Sequence, residues 1–357
     1  MAMGIAMALA TVTSLLQAPT RQVSLNAVPP QAYQLRHAAQ LRDRGYTVVR
    51  TASLQPELIS AANDECSYSL ARLLDGVEAL GLDVMEQKYL FSEVTTRHRL
   101  RWDFRPERAV AFNQLVQQAA SEIAVPIIKT MHTLPPNLND GWLPRLTGAT
   151  RFLLPATPLV AMTGAIISQP GAKAQRFHAD AADTHFRLAR LCPRHRLFNV
   201  FIPLVDIEAD GDGTMLWPSS HLEQMRYEKY SRAVSRSGHL EDDGETMGEM
   251  RAPAMKAGDV LIFDYRLVHR GLPSIGRERC MAYAVLSTGL AWDASNFPSF
   301  SLRDAVDSLP DESDERELLR REFRKSFGFW SELRERETDE APLSPPNQDV
   351  TGTEEIM

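Results

Sequence analysis

Cysteine is scarce: Cys66, Cys192 and Cys280 are the only three in 357 residues, far apart and without a Cys-x-x-Cys spacing. That excludes a disulfide framework and a zinc knuckle, and it favours a reducing compartment. A basic excess is missing as well. Lys and Arg number 39 against 46 Asp and Glu, for a formal net charge of -7, which argues against a nucleic-acid-binding surface. No glycine pattern of the phosphate-cradling kind accompanies the arginine-rich stretch at 97–105. Long apolar runs are also lacking. Only Met1 to Leu16 approaches one, and it is too short and too rich in small residues for a membrane span and lacks the basic start of a secretory signal. Residues 1-33 are therefore read as a targeting leader or a mobile N-terminus, and the protein as soluble, cytoplasmic or organellar. What remains is an ordinary globular composition, 44% hydrophobic and 24% charged, whose partners are expected to be small molecules. Nothing in the sequence reports the oligomeric state.

From Tyr33 the folded part begins. Leu35 to Arg44 is helix-like, Gly45 to Arg50 reads as a short strand, and Pro56 opens a helix with Leu58, Ala62, Cys66, Leu70 and Leu73 on one face. Arg97 to Arg105 gathers four arginines beyond His98; it is expected to be a solvated loop, the alternative being a grip for an anionic group. A further helix, Ala109 to Ile123, is expected to end near Pro126. After about residue 146 the pattern turns to short β-rich runs between Pro, Gly and Asp: Thr150 to Leu154, Leu159 to Ser168, His185 to Leu191, Leu197 to Val205, Thr214 to Trp217, Asp259 to Tyr265 and Cys280 to Ser287. Such spacing predicts a mainly β fold with flanking helices and a sandwich or barrel core of the jelly-roll kind. A charged insertion, His221 to Lys256, is expected to be a lid or surface excursion. Asp314 to Glu337 reads as an amphipathic helix with Leu319, Phe323, Phe327, Trp330 and Leu333 as its stripe. The expected organisation is a single domain over 34-292, with helical support at 34-145 and a β core at 146-292, then a helical segment at 293-340 and a disordered tail at 341-357.

Chemistry concentrates at Gln175-Arg176-Phe177-His178-Ala179-Asp180. On extended backbone His178 and Asp180 project from one face, because side-chain direction there has period two, so both can reach one ion. With a distant second imidazole they make the two-histidine, one-carboxylate set that binds Fe(II) and leaves positions open for chemistry. The candidate is His269, at the far end of an apolar run that starts at the Gly258-Asp259 turn. Arg277 and Arg279 follow it, and either guanidinium suits a carboxylate; they share parity, so the pattern does not choose between them.

Three stretches in order resemble the phytanoyl-CoA dioxygenase family of iron(II)/2-oxoglutarate oxygenases. They are Ile167 to Gly171 with Gln175, His178 and Asp180; Gly213 to His221; and Gly258-Asp259 through His269-Arg270-Gly271 to Arg279. The resemblance covers roughly residues 40 to 290. It implies a double-stranded β-helix (jelly-roll, cupin-like) core, Fe(II) held by His178, Asp180 and His269, and 2-oxoglutarate as cosubstrate anchored by Arg279, with Arg277 as runner-up. It also implies secondary cosubstrate contacts from Gln175 and Thr214, and packing roles for Trp217 and His221. The activity implied is a dioxygenase using O2 to hydroxylate a small organic or acyl substrate, with release of succinate and CO2. Retention of Asp180 points to hydroxylation or another oxidation rather than halogenation. The alternative is a non-catalytic barrel that binds metal or keto acid as a sensor or scaffold.

Overall fold

The computed structural model describes residues 30–50, 53–84, 91–98, 100–134, 158–175, 177–180, 195–209, 211–222, 250–288 and 301–307. Helix α1 (Pro30–Arg44) leads into strand β1 (Tyr46–Val49) and then helix α2 (Pro56–Ala79), opened by a proline at a position where a helix has no use for the missing N–H. Ile59, Ala62, Cys66, Leu70, Leu73 and Val77 form its buried stripe, with Ile59 rather than Leu58 at the head. The helix expected over 109–123 starts one residue later, as α3 (Val110–Gln118), and does not stop near Pro126. It passes through a π-helical turn (Ala119–Ala124) into α4 (Val125–Met131). In that wider turn the Val125 N–H reaches back to Ala120 O, which admits Pro126 near the start of α4 without ending the rod.

The stretch expected to be a solvated loop is instead a hairpin of β2 (Val94–His98) and β3 (Arg101–Phe104). Tertiary pairing decides this, since β3 lies against β4 (Leu159–Ser168) in continuous antiparallel register from Arg101 opposite Ser168 to Phe104 opposite Ala165. Strands β5 (Leu197–Pro203), β6 (Thr214–Leu216), β7 (Val260–Asp264) and β9 (Arg279–Ser287) lie within two residues of the expected bounds. The short β8 (His269–Gly271) is separate from β7, because the chain turns between Asp264 and His269. The strands expected at 150–154 and 185–191, most of the insertion and the helix at 314–337 lie outside the described residues.

Seven strands form one antiparallel sheet in the order β1-β7-β5-β9-β4-β3-β2. One face meets the helices: Phe198, Val200 and Ile202 of β5 and Cys280, Ala282, Ala284 and Leu286 of β9 join the core built on α2 and α3. The other face carries Phe201, Leu261, Phe263, Met281, Tyr283 and Val285 against Leu216 and Leu267 of the second layer. Both faces are covered, which is why β5 and β9 read as nearly unbroken apolar runs instead of alternating ones. Each large apolar side chain so buried, such as Phe198 or Phe263, contributes about 1.5–3 kcal/mol relative to exposure. The second layer pairs β6 with β8 and is extended by single bridges, His178 to His269 and Leu216 to Arg251. Two antiparallel layers closing on each other are the double-stranded β-helix with flanking helices, and the space left between them holds the site. Gly258 makes the tight turn into β7 at a φ of 85°, where a Cβ would also lie 2.5 Å from Ile59 Cδ1. After β9, the short α5 (Leu302–Asp307) packs on α2, its first N–H received by the Glu93 carboxylate at 2.8 Å. Among the described residues no helix is long and apolar enough to cross a membrane.

Candidate active site

His178 and His269 face each other as a doubly hydrogen-bonded antiparallel pair: His178 N–H donates to His269 O at 2.9 Å and His269 N–H to His178 O at 2.8 Å. This pairing brings the two rings to 4.5 Å between centroids. Asp180 completes the group, Oδ1 standing 3.6 Å from His178 Nε2 and Oδ2 standing 3.6 Å from His269 Nε2. One donor atom from each of the three lies within 4.8 Å of the others, a spacing that one metal ion can bridge. The His269 ring is oriented from behind. Its Nδ1 is 2.9 Å from Leu267 O, an acceptor only, so the proton sits on Nδ1 and the Nε2 lone pair is left for the cluster. Leu267 is fixed in turn by the bend after β7, where its N–H donates to Asp264 O at 2.8 Å.

These groups line a cavity of about 120 Å³ between the two layers. At one end Arg279, at the start of β9, lies beside Arg101, on β3, and both are buried. The hydroxyl of Ser168 sits between them, 2.9 Å from Arg101 Nε and 3.2 Å from Arg279 Nη2. Their other acceptors are carbonyls: Leu272 O at 2.6 Å for Arg101 and Gly213 O at 3.2 Å for Arg279. Burial, and then the Arg279 charge, push Arg101 down to about 9, and burial pushes Arg279 down to about 10 against the opposing influence of Asp212. Two cations desolvated side by side favour an anion between them. Arg277 is elsewhere, because β9 starts only at Arg279 and the parity of a strand does not extend to the loop before it. It is half-exposed and binds Asp206 O and the Asp212 carboxylate.

Gln175 and Thr214 also line the cavity; Gln175 Oε1 accepts the Gly271 N–H at 2.9 Å, close to Arg101. Farther along, the wall is Met162, Ile166, Phe201, Tyr265, Met281 and Val285. A polar pair lies among them: Tyr283 donates its hydroxyl to Asp103 Oδ1 at 2.8 Å. Burial, with the Asp103 charge, raises the Tyr283 phenol well above its ordinary value, so it stays a donor. Its ring crosses Gly164, where a Cβ would come within 2.4 Å of the phenol oxygen.

Residues 41–279 match the sequence model of Phytanoyl-CoA dioxygenase (PhyH). The chain belongs to the phytanoyl-CoA dioxygenase family. Members of the family use iron and 2-oxoglutarate as cofactors, and the residues here fit both, with imidazole and carboxylate donors for the metal and buried guanidinium groups for a carboxylate. The protein is thus a 2-oxoglutarate-dependent oxygenase or related enzyme of this family. Among solved structures, AviO1 from Streptomyces viridochromogenes is similar at 16% identity, covering 75% of this chain and 100% of that one, with a TM-score of 0.45. HygX from Streptomyces hygroscopicus with nickel and 2-oxoglutarate bound is similar at 11% identity, covering 77% and 96%, with a TM-score of 0.46. The non-heme alpha ketoglutarate dependent epimerase SnoN from nogalamycin biosynthesis is similar at 14% identity, covering 79% and 90%, with a TM-score of 0.44. No curated protein sequence matches.

In this member of the phytanoyl-CoA dioxygenase family the structure brings His178, Asp180, His269, Arg279, Gln175 and Thr214 to one cavity and leaves Arg277 outside it. Sequence reasoning held Arg101 only within the alternative reading of 97–105 as a grip for an anionic group, and it missed Ser168, Asn199 and the Asp103–Tyr283 pair. A signal for Arg101 was present: Leu100, Trp102 and Phe104 alternate with Arg101, Asp103 and Arg105, the period of a strand with one charged face. Trp217 and His221 are fully buried behind the second layer, where the His221 ring meets Arg42 O at 3.0 Å.

Proposed function

We propose that this protein is an Fe(II)- and 2-oxoglutarate-dependent dioxygenase that hydroxylates a small organic or acyl substrate. His178, Asp180 and His269 hold the metal, and Arg279, with Arg101 beside it, grips the distal carboxylate of 2-oxoglutarate. Gln175 and Thr214 border that anchor as secondary contacts. The observation that carries this reading is the coexistence, in one small cavity, of a three-donor cluster and two buried guanidiniums that share Ser168. With metal, 2-oxoglutarate and O2 bound, such a centre supplies oxidising power as the keto acid is converted to succinate and CO2.

The chain's own contribution is geometry and exclusion. Leu267 O sets the His269 tautomer, the Arg101–Arg279 pair orients the cosubstrate from one end, and the Met162, Ile166, Phe201 and Val285 side chains keep water from the opposite wall. Asp103, braced by Tyr283, is a charged feature of that wall and bears on which substrates fit it. The catalytic unit is taken as one domain over 34-292, because β1, β2 and β3 from its N-terminal part complete the edges of the seven-stranded sheet.

Anaerobic loading with Fe(II), followed by 2-oxoglutarate, air and a metabolite panel, tests the proposal by succinate release. Wild type is expected to turn over 2-oxoglutarate, slowly alone and faster with a substrate, while His178→Ala does neither. Metal and 2-oxoglutarate binding without any turnover across the panel would favour the sensor or scaffold alternative.

A further inference from the structure

Strand β5 is Leu-Phe-Asn-Val-Phe-Ile-Pro, buried along its whole length and placed between β7 and β9 in the large sheet. Asn199 is its one polar side chain. A carboxamide is disfavoured at a central strand position, where packing selects β-branched and aromatic residues, and burying it without a partner costs about 1–3 kcal/mol. Its neighbours across the sheet, Phe263 on β7 and Val285 on β9, are apolar and give it nothing to bind. Its partner comes from the other layer: Asn199 Nδ2 donates to Asp180 Oδ2 at 2.7 Å. Because a carboxylate only accepts, the nitrogen of the amide must be the atom that faces Asp180.

We infer that Asn199 is a positioning residue for the metal site, fixing the Asp180 carboxylate so that it meets the ion in one orientation. This rests on the reading of His178, Asp180 and His269 as metal ligands. The need for such a clamp is visible in the backbone. His178 and His269 are locked by reciprocal main-chain hydrogen bonds, and the His269 ring is held by Leu267 O. Asp180 sits on a bend outside any strand and is partly exposed, so its side chain is the one ligand that the backbone pairing does not orient. A central strand is the stiffest available anchor for it. The hydrogen bond engages Oδ2 and sets the plane of the carboxylate, which leaves Oδ1, on the His178 side, as the less encumbered oxygen. Restricting a carboxylate to one oxygen keeps the remaining positions on the metal open for other ligands. An amide serves this purpose where a His or Asp would not, since it donates at every pH.

Calorimetric titration of Fe(II), under anaerobic conditions, into the full-length chain and into Asn199→Leu tests this, with the visible spectrum of the Co(II)-loaded forms as a second readout. Leucine keeps the volume and removes the donor. The expected result is metal affinity about 10–100-fold weaker in Asn199→Leu, with changed Co(II) band positions and an unfolding midpoint of the metal-free protein that does not fall. If Asn199→Leu fails to fold, Asn199→Ala takes its place in the same titration. Val200→Ala, on the helix-facing side of the same strand, is the control: it is expected to lower the unfolding midpoint and leave metal affinity and the Co(II) spectrum as in wild type. Wild-type binding matched by unchanged affinity and spectrum in the Asn199 variants would overturn the inference and leave the metal site standing. Absence of binding in folded wild type would overturn the ligand reading itself, and this inference with it.

Discussion

Two clusters of buried charge in this protein are built on opposite terms. In the first, Asp264 at the end of β7 receives Arg266 through both oxygens at 2.8 Å and has Arg196 at 3.6 Å. Burial raises the Asp264 pKa, but the Arg266 and Arg196 charges outweigh it and hold the carboxyl well below the ordinary range. The folded state favours the charged form there. In the second, Arg101 and Arg279 lie against each other with neutral oxygens as acceptors, and among the described residues no carboxylate is within ion-pair distance of either. Their pKa values fall instead, so the fold works against the very charges it encloses. Charge that is neutralised internally shapes the turn leading to His269; charge left to be neutralised from outside marks where an anionic ligand belongs.

Substitutions can break that contrast at either cluster. The largest effect is expected for Asp264→Asn, which removes the negative charge that faces Arg266 and Arg196 in the core and should cost about 3–5 kcal/mol in denaturant unfolding. The sign with pH follows from the depressed carboxyl: its stabilisation is full above the ordinary value of 3.8 and is lost as pH falls below it, so wild type and Asp264→Asn should converge in acid. Next is Arg279→Met, expected to weaken 2-oxoglutarate binding by calorimetry by about 30-fold or more, from loss of a charged bidentate partner worth roughly 2–5 kcal/mol, with no loss of stability. Arg101→Met should weaken the same binding by about tenfold and raise the unfolding midpoint at neutral pH. Here the sign is reversed. A guanidinium lowered from 12.5 to about 9 burdens the fold fully below pH 9, and the burden is relieved only as pH rises above it, so removing the charge stabilises at pH 7. The smallest effect is Arg277→Ala, within about 0.5 kcal/mol in stability and with little change in 2-oxoglutarate affinity, because the Arg277 side chain is itself half-exposed and lies outside the cavity.

The second cluster and the metal triad were differently legible in the chain. His178 and Asp180 could be paired by period alone, and the ordered motifs added His269 and Arg279, since each is a local pattern of residue types. Most strands were legible for the same reason: apolar runs between turn residues survive without knowledge of their partners. Arg101 was less so, because β3 is only four residues long and lies in a stretch with four arginines, and its place in the sheet is set by the β4 edge it pairs with. Asn199 was not, because its partner Asp180 is distant in the chain and reaches it from the other layer. The choice between Arg277 and Arg279 depended on where β9 begins, a register set by Ser168 across the sheet and not by the residues between the two arginines.

Calorimetric titration of 2-oxoglutarate into the anaerobic Fe(II)-loaded protein, with thermal unfolding of the same samples, tests the contrast between the two clusters most directly. Wild type is expected to bind one equivalent and to be stabilised by it, while the Arg101→Met, Arg279→Met double variant is expected to bind none and to unfold, ligand-free, at a temperature no lower than wild type. Undiminished binding by the double variant, or a ligand-free protein clearly destabilised by losing the two arginines, would contradict the account.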